Sequence, residues 1–580
     1  MTKLIITNFD ADYSSIIKAN NSSDIIWLQL WPVSNINQII NNFPQVRIVK
    51  LTDFINNDNH YEIANKVTEI SENWWNLLGL DKFQKEWEIE GLKISQIFSY
   101  EIEQVLTNLM FQIIAINKVI EKYKPSTMLF IEKNKNLSSN TLTNTRLIWF
   151  YKNNSKNIQT EEEIINHEVV YKHKKFLIIN KIKNITIDKV LKKFKPNKLK
   201  KGSVIISNSN RCLHKFDEII SKKEEIFILN DSLYKEESNL NISLPEFSED
   251  VFFNGVSLNP FFNSNRTFLE SKFTYLSALY ESQILLINKY NPKIYITVNV
   301  ADSNEIVKLW AFKNKGIRVV LAAEGIGHPD DKIILPLKSV LHPELNIEWW
   351  VISKFYFNYF NSRYNNKLKI TGYLDRNITK ERIDNKKTKK KKIIYVLSII
   401  NPEVRRAILG EDMFEMLQSV VDVAKVVNDF SDYELIIRLH PGDNDKIKLF
   451  NEYIKQYKNV KLSIFDNLNS IIDESSIVII YDTSVGLESL YRRKNVICYN
   501  YTNLPSYITS IYEYVNHNPE RGAALIMTHT KEELKKEIER LLSYADNNKR
   551  SPGLEYVLEN AREDYNVEEI IKKLFENQEI

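Results

Sequence analysis

Short aliphatic and β-branched runs alternate with segments of mixed three-and-four apolar spacing through most of the chain, the pattern of βαβ units wound around parallel sheets. In the first part the runs predict strands at 3–9, 24–30, 46–51, 127–132, 175–180, 203–208, 225–230, 294–300 and 318–324. The longest predicted helix covers 92–122, where Ile94, Ile97, Ile102, Val105, Leu106, Leu109, Ile113 and Ile114 form an apolar stripe. Trp74, Trp75 and Trp87 precede it and read as core. A fresh series starts at IIYVLSI and runs strand, helix, strand through YELIIRLHP, VKLSIF, IVIIYDT and VICYN, with helices at 413–427, 446–457, 468–473, 484–493, 531–545 and 557–577. The change of character after residue 345 predicts two domains, 1–345 and 346–580, each Rossmann-like, facing a central cleft. The lysine run at 386–392 reads as a solvated lead-in to the first strand of the new series, with an anionic membrane surface as the alternative.

Length adds that 580 residues exceed what one core supports, about 250–300 residues. Lys and Arg number 78 against 74 Asp and Glu, a net +4, too small a bias for a nucleic-acid protein. Two distant cysteines, Cys212 and Cys498, exclude a disulfide scaffold and fit a reducing compartment. No apolar run reaches the ~18–20 residues of a spanning helix, and the opening MTKLIITNFD reads as a strand rather than a leader. The expected location is cytoplasmic, with peripheral contact at the inner face of the membrane. There is no G-x-G-x-x-G turn after a first strand and no P-loop, which disfavours NAD chemistry and P-loop hydrolysis. No His/Cys cluster has ligand spacing, and no metal is expected.

Two constellations change the picture. The buried strand YELIIRLHP ends on His440, with Pro441 and Gly442 fixing a turn and Arg438 on the same strand face by period two. The strand IVIIYDT runs into a helix through Asp482, Thr483 and Ser484, with Gly486 allowing close approach and Glu488 one turn beyond Ser484. Both sit at the carboxyl edge of a parallel sheet, where open α/β sheets bind ligands. Hydroxyls and free amides at a helix start suit phosphate, and a plain helix cap accounts for the same residues without a ligand. An imidazole at the first edge would donate to a phosphate oxygen, and a surface histidine is the bland reading. On the other half, LAAEGIGHPDD at 321–331 offers Glu324, Gly325 and His328 as acceptor-side candidates, with a turn and a salt bridge as the bland reading. Asp302 is a reserve acceptor candidate, and 207–212 is a third loop.

RLHPG at 438–442 and DTSVGLESLYRRKNVICY at 482–499, in this order, resemble the carboxy-terminal half of GT-B glycosyltransferases that build bacterial surface polysaccharides. The likeness is to capsule-type Kdo transferases and bacterial sialyltransferases, covers about 350–510, and extends to the CDP-glycerol phosphotransferases. It implies that His440 and Pro441 meet the CMP phosphate and base, that Thr483 and Ser484 bind phosphate, and that no metal or cofactor is needed beyond a CMP-linked sugar as substrate. It also implies an acidic-acidic-Gly base motif. Here only Glu324 and Gly325 match, since Ala323 stands where the first acid would be.

The expected protein is therefore an inverting, metal-independent transferase. Glu324 and His440 would be catalytic. Arg438, Pro441, Gly442, Asp482, Thr483, Ser484, Gly486 and Glu488 would hold the donor, and Gly325, His328 and Asp302 would serve a glycan or glycolipid acceptor. The competing readings are a UDP-sugar 2-epimerase, a CDP-alditol phosphotransferase and an inactive GT-B scaffold.

Overall fold

The computed structural model describes residues 2–21, 23–133, 142, 146–152, 158–165, 204–207, 226–229, 243–297, 302–322, 347–351, 367–370, 391–398, 413–481, 483, 485–492, 494–502 and 525–546. Three parallel sheets, rather than two, organise them. The first joins β1 (Thr2–Thr7), β2 (Asp24–Gln29), β3 (Arg47–Lys50), β4 (Thr127–Lys133) and β5 (Gln159–Ile165) in the order β3-β2-β1-β4-β5. The second joins β6 (Val204–Ser207), β7 (Ile226–Leu229), β8 (Ile294–Thr297), β9 (Arg318–Ala322), β10 (Glu348–Val351) and β11 (Lys367–Ile370) as β11-β10-β9-β8-β6-β7. In the third, β12 (Lys391–Val396), β13 (Tyr433–Arg438), β14 (Val460–Ser463), β15 (Ile477–Ile480), β16 (Asn495–Tyr499) and β17 (Leu525–Thr528) run β14-β13-β12-β15-β16-β17.

The expected split at 345 falls inside the second sheet, because β10 and β11 pair with β9 in register and carry that sheet to Ile370. The third sheet begins only at Lys391. The predicted strand at 175–180 and the helix at 557–577 lie outside the described residues.

Parallel strands covered on both faces read as continuous apolar runs. Along β12 the alternate residues Ile394 and Val396 join one apolar cluster, while Ile393 and Tyr395 join another with α5 (Met413–Asn428) and α9 (Lys531–Asp546). The first of these clusters also takes in Leu4 of β1 and Leu321 of β9, so a single core reaches all three sheets. At its centre α1 (Asn57–Leu77) packs on α2 (Ile94–Tyr123), and Trp74, Trp75 and Trp87 are fully enclosed there. Trp74 stacks on Phe262 of α3 (Asn259–Tyr290), tying the first unit to the second.

The carboxyl edge of the first sheet meets the third unit. Trp31, just past β2, packs against the third unit's core, and the Lys50 ammonium at the end of β3 lies 5.7 Å from the Phe414 ring centroid on α5. Asp10, past β1, is close enough that its charge adds to the upward push that burial gives the Tyr453 phenol on α6 (Ile447–Ile454). No described helix is long and apolar enough to cross a membrane.

Candidate functional site at the carboxyl edge of the third sheet

Strand β13 is buried from Leu435 onward, and its pairing continues one residue past its end: the Leu439 amide donates to the Ser463 carbonyl at 2.9 Å. Pro441 then opens a 3₁₀ turn over Pro441–Lys446, the position where a missing N–H costs nothing. His440 caps that turn in extended backbone, with Nδ1 accepting the Gly442 amide at 3.0 Å. An accepting Nδ1 assigns the ring proton to Nε2, so the imidazole is presented as a neutral Nε2–H donor with its orientation fixed by the cap. Within the turn, Lys446 and Asp443 form a 2.6 Å ion pair, both buried. This pair was not legible as part of the site, although an acid three residues before a lysine in a short turn is its trace.

Arg438 is buried at the end of β13, and Nη1 reaches Ser463 Oγ at 3.5 Å. Ser463 Oγ in turn donates to Asp466 Oδ2 at 2.8 Å. Burial pulls the guanidinium below its ordinary value and the nearby Asp466 charge opposes that. Arg438 thus braces the ends of β13 and β14.

On the other side of β12, Thr483 Oγ1 accepts the Val485 amide at 3.4 Å and its carbonyl accepts the Gly486 amide at 3.1 Å, starting α8 (Val485–Tyr491). Gly486 and Glu488 are buried within that helix. Asp482 and Ser484 lie outside the described residues.

Register brings the two constellations together. Val396 of β12 is level with Arg438 of β13 and with Ile480 of β15. His440 is two residues beyond Arg438 and Thr483 three beyond Ile480, so both stand just above one edge, two strand spacings or about 10 Å apart. Between them β12 ends and the chain leaves through Leu397 and Ser398, a hydroxyl that sequence reasoning passed over although it closes the run IIYVLS. The strand order, counted from β12, is the 3-2-1-4-5-6 of dinucleotide-binding sheets, and the reversal that opens a ligand crevice falls between β12 and β15. An imidazole N–H, a threonine hydroxyl and a serine hydroxyl around that reversal can solvate a phosphate without a metal.

The second sheet has its own reversal between β6 and β8. Past β8, Asp302 caps α4 (Ser303–Asn314), accepting the Glu305 amide at 2.9 Å. Glu101, from α2 of the first unit, accepts the adjacent Ser303 amide at 2.9 Å. Burial pushes the Glu101 carboxyl up to about 7, the bonds from Ser303 oppose the shift, and the charge of Asp302 adds to it. Sequence reasoning had no means of finding Glu101, because its partner is 202 residues away. Beneath Asp302, Glu305 is held by the Tyr295 hydroxyl and, at 3.1 Å, by the Lys308 ammonium, all three buried. Glu324, Gly325 and His328 lie outside the described residues.

A comparison with curated proteins finds no match to the chain. Among solved structures, it is similar to a UDP-GlcNAc 2-epimerase from Neisseria meningitidis bound to UDP-GlcNAc, at 12% identity over 65% of this chain and 100% of that one, with a TM-score of 0.42. A putative UDP-N-acetylglucosamine 2-epimerase from Listeria monocytogenes shares 15% identity over 67% and 92% of the two chains, TM-score 0.40. Sucrose-phosphate synthase from Thermosynechococcus elongatus shares 9% over 65% and 99%, TM-score 0.38. These likenesses are too distant to set an activity. Residues 352–503, which contain β12 to β16 and both His440 and Thr483, match the family described as capsule polysaccharide biosynthesis protein.

Proposed function

We propose that the protein is a glycosyltransferase of surface-polysaccharide assembly, with the second and third sheets as the two halves of a GT-B enzyme and the nucleotide sugar seated on the third. The observation that carries this reading is the register that brings His440 and Thr483 to one edge beside the reversal of a 3-2-1-4-5-6 sheet. The capsule-biosynthesis match over the same strands supports it.

In this reading a glycan or glycolipid hydroxyl attacks the anomeric carbon as a carboxylate on the acceptor side, Glu324, takes its proton. The new C–O bond forms while the bond to the phosphate oxygen breaks. The departing phosphate keeps the electron pair and is met by His440 Nε2–H and the Thr483 hydroxyl, whose bonds strengthen as charge develops. His440 acts as a neutral donor rather than as a counter-charge, since its Nδ1 is occupied by the Gly442 amide.

The donor is a CMP-linked, sialic-acid-like or Kdo-like sugar, the class implied by the motifs RLHPG and DTSVG. Thermal unfolding with CMP, CDP and UDP tests this. A nucleotide held at about 100 times its Kd adds about 2.7 kcal/mol to stability, so CMP should raise the melting point more than UDP. A shift with UDP alone would move the donor to another class, and no shift with any of the three would remove the transferase reading.

A further inference from the structure

The most exposed large apolar side chain among the described residues is Phe465, 72% accessible, against 54% for the next, Phe252. It stands at the same sheet edge as the proposed nucleotide site. Arg438 of β13 is in register with Ser463 of β14, each the last residue of its strand, and His440 and Phe465 each follow two residues later on neighbouring chain segments past that edge.

The loop is held on both sides of the ring. On one side Ser463 is fixed by the Leu439 amide at 2.9 Å and by Asp466 at 2.8 Å. On the other, Asn467 caps α7 (Leu468–Glu474), its side chain accepting the Ser470 amide at 3.1 Å. Phe465 is the exposed tip between these two anchors.

We infer that Phe465 is the stacking platform for the nucleobase of the donor. This rests on the nucleotide reading above. A nucleotide whose phosphate meets Thr483 and His440 can lie along the edge across β15, β12, β13 and β14, three strand spacings or about 14 Å. Its base would then reach the end of β14, where a flat apolar ring offers a face. Every base has such a face, so the platform would set affinity for nucleotides as a class, while the polar groups at the reversal select the phosphate.

Calorimetric titration of wild type, Phe465→Ala and Phe465→Trp with CMP, and with ribose 5-phosphate as a base-free probe, tests the assignment. Phe465→Ala should weaken CMP on the order of tenfold, Phe465→Trp should bind at least as tightly as wild type, and ribose 5-phosphate should be indifferent to both changes. CMP affinity within about twofold of wild type in Phe465→Ala would overturn the stacking role alone. Equal weakening of both probes would overturn it too, since that would mean a distorted site. A wild type that binds none of CMP, CDP and UDP would overturn the parent reading and this assignment with it.

Discussion

The first and third sheets share a winding and differ in what meets their carboxyl edges. Each places its first strand beside the fourth, with the second and third on the opposite side, so each has a reversal that could receive a ligand. In the first sheet the residues past β1, β2 and β3 turn into protein: Asp10 accepts from the Ser34 amide and hydroxyl, Trp31 packs on the third unit's core, and Lys50 covers Phe414. In the third sheet the corresponding ends carry Ser398, His440 and Thr483. Topology supplies the crevice, and the side chains at the strand ends decide whether protein or ligand uses it.

Removing the charge pair within the His440 turn should give the largest effect. Asp443→Ala strands the buried Lys446 ammonium and should cost about 3 kcal/mol, the low end for a broken buried pair because Asp445 remains at 3.6 Å. Asp10→Ala, past the first strand of the first sheet, should cost about 1 kcal/mol, since it loses hydrogen bonds to Ser34 and leaves no buried ammonium stranded. Urea unfolding of both variants checks the contrast, and equal costs would break it.

Next comes chemistry. His440→Asn keeps an N-cap while deleting the imidazole, so transfer should fall on the order of 10²-fold, about 2.7 kcal/mol, with the melting point nearly held. Asp10→Ala should leave turnover within about twofold of wild type, and a comparable loss there would mean that the first sheet also serves the reaction.

The Glu101 contact gives a pH-dependent effect. Its folded-state value near 7 stands above the ordinary 4.5, so the native protein holds the extra proton between them. Its contribution to stability is full below about 4.5 and is lost as pH rises through about 7. Glu101→Gln should therefore remove a decline of on the order of 2 kcal/mol between pH 5 and pH 8, read as the difference between wild-type and variant unfolding curves. Smallest of all, Lys50→Ala should cost about 0.5–1 kcal/mol by removing the ammonium from the Phe414 face.

Strands buried on both faces were legible because nothing interrupts their apolar runs: β13, β15 and β16 appear where YELII, IVII and VICY place them. Strand β5, QTEEEII, was not. It lies at a sheet edge with most of its residues exposed or half-exposed, so neither alternation nor an apolar run marks it. The sequence IEWWV looked like a break in character, yet it forms β10, where Trp349 and Trp350 point to opposite faces and both are buried. At the site, the positions of His440 and Thr483 followed from where strands stop. That Arg438 would be drawn into Ser463 and Asp466, and that Asp302 would share its helix end with Glu101, depend on contacts between elements that no local pattern encodes.

The amino-terminal unit grips both halves of the proposed enzyme: α2 and Glu90 just ahead of it hold α4 of the second unit through Glu101–Ser303 and Glu90–Trp310, and the β2 and β3 ends hold α5 and its core. It therefore works as a brace. A substrate that draws the two halves together would load these grips, and amide exchange at Ser303 becomes a gauge of closure.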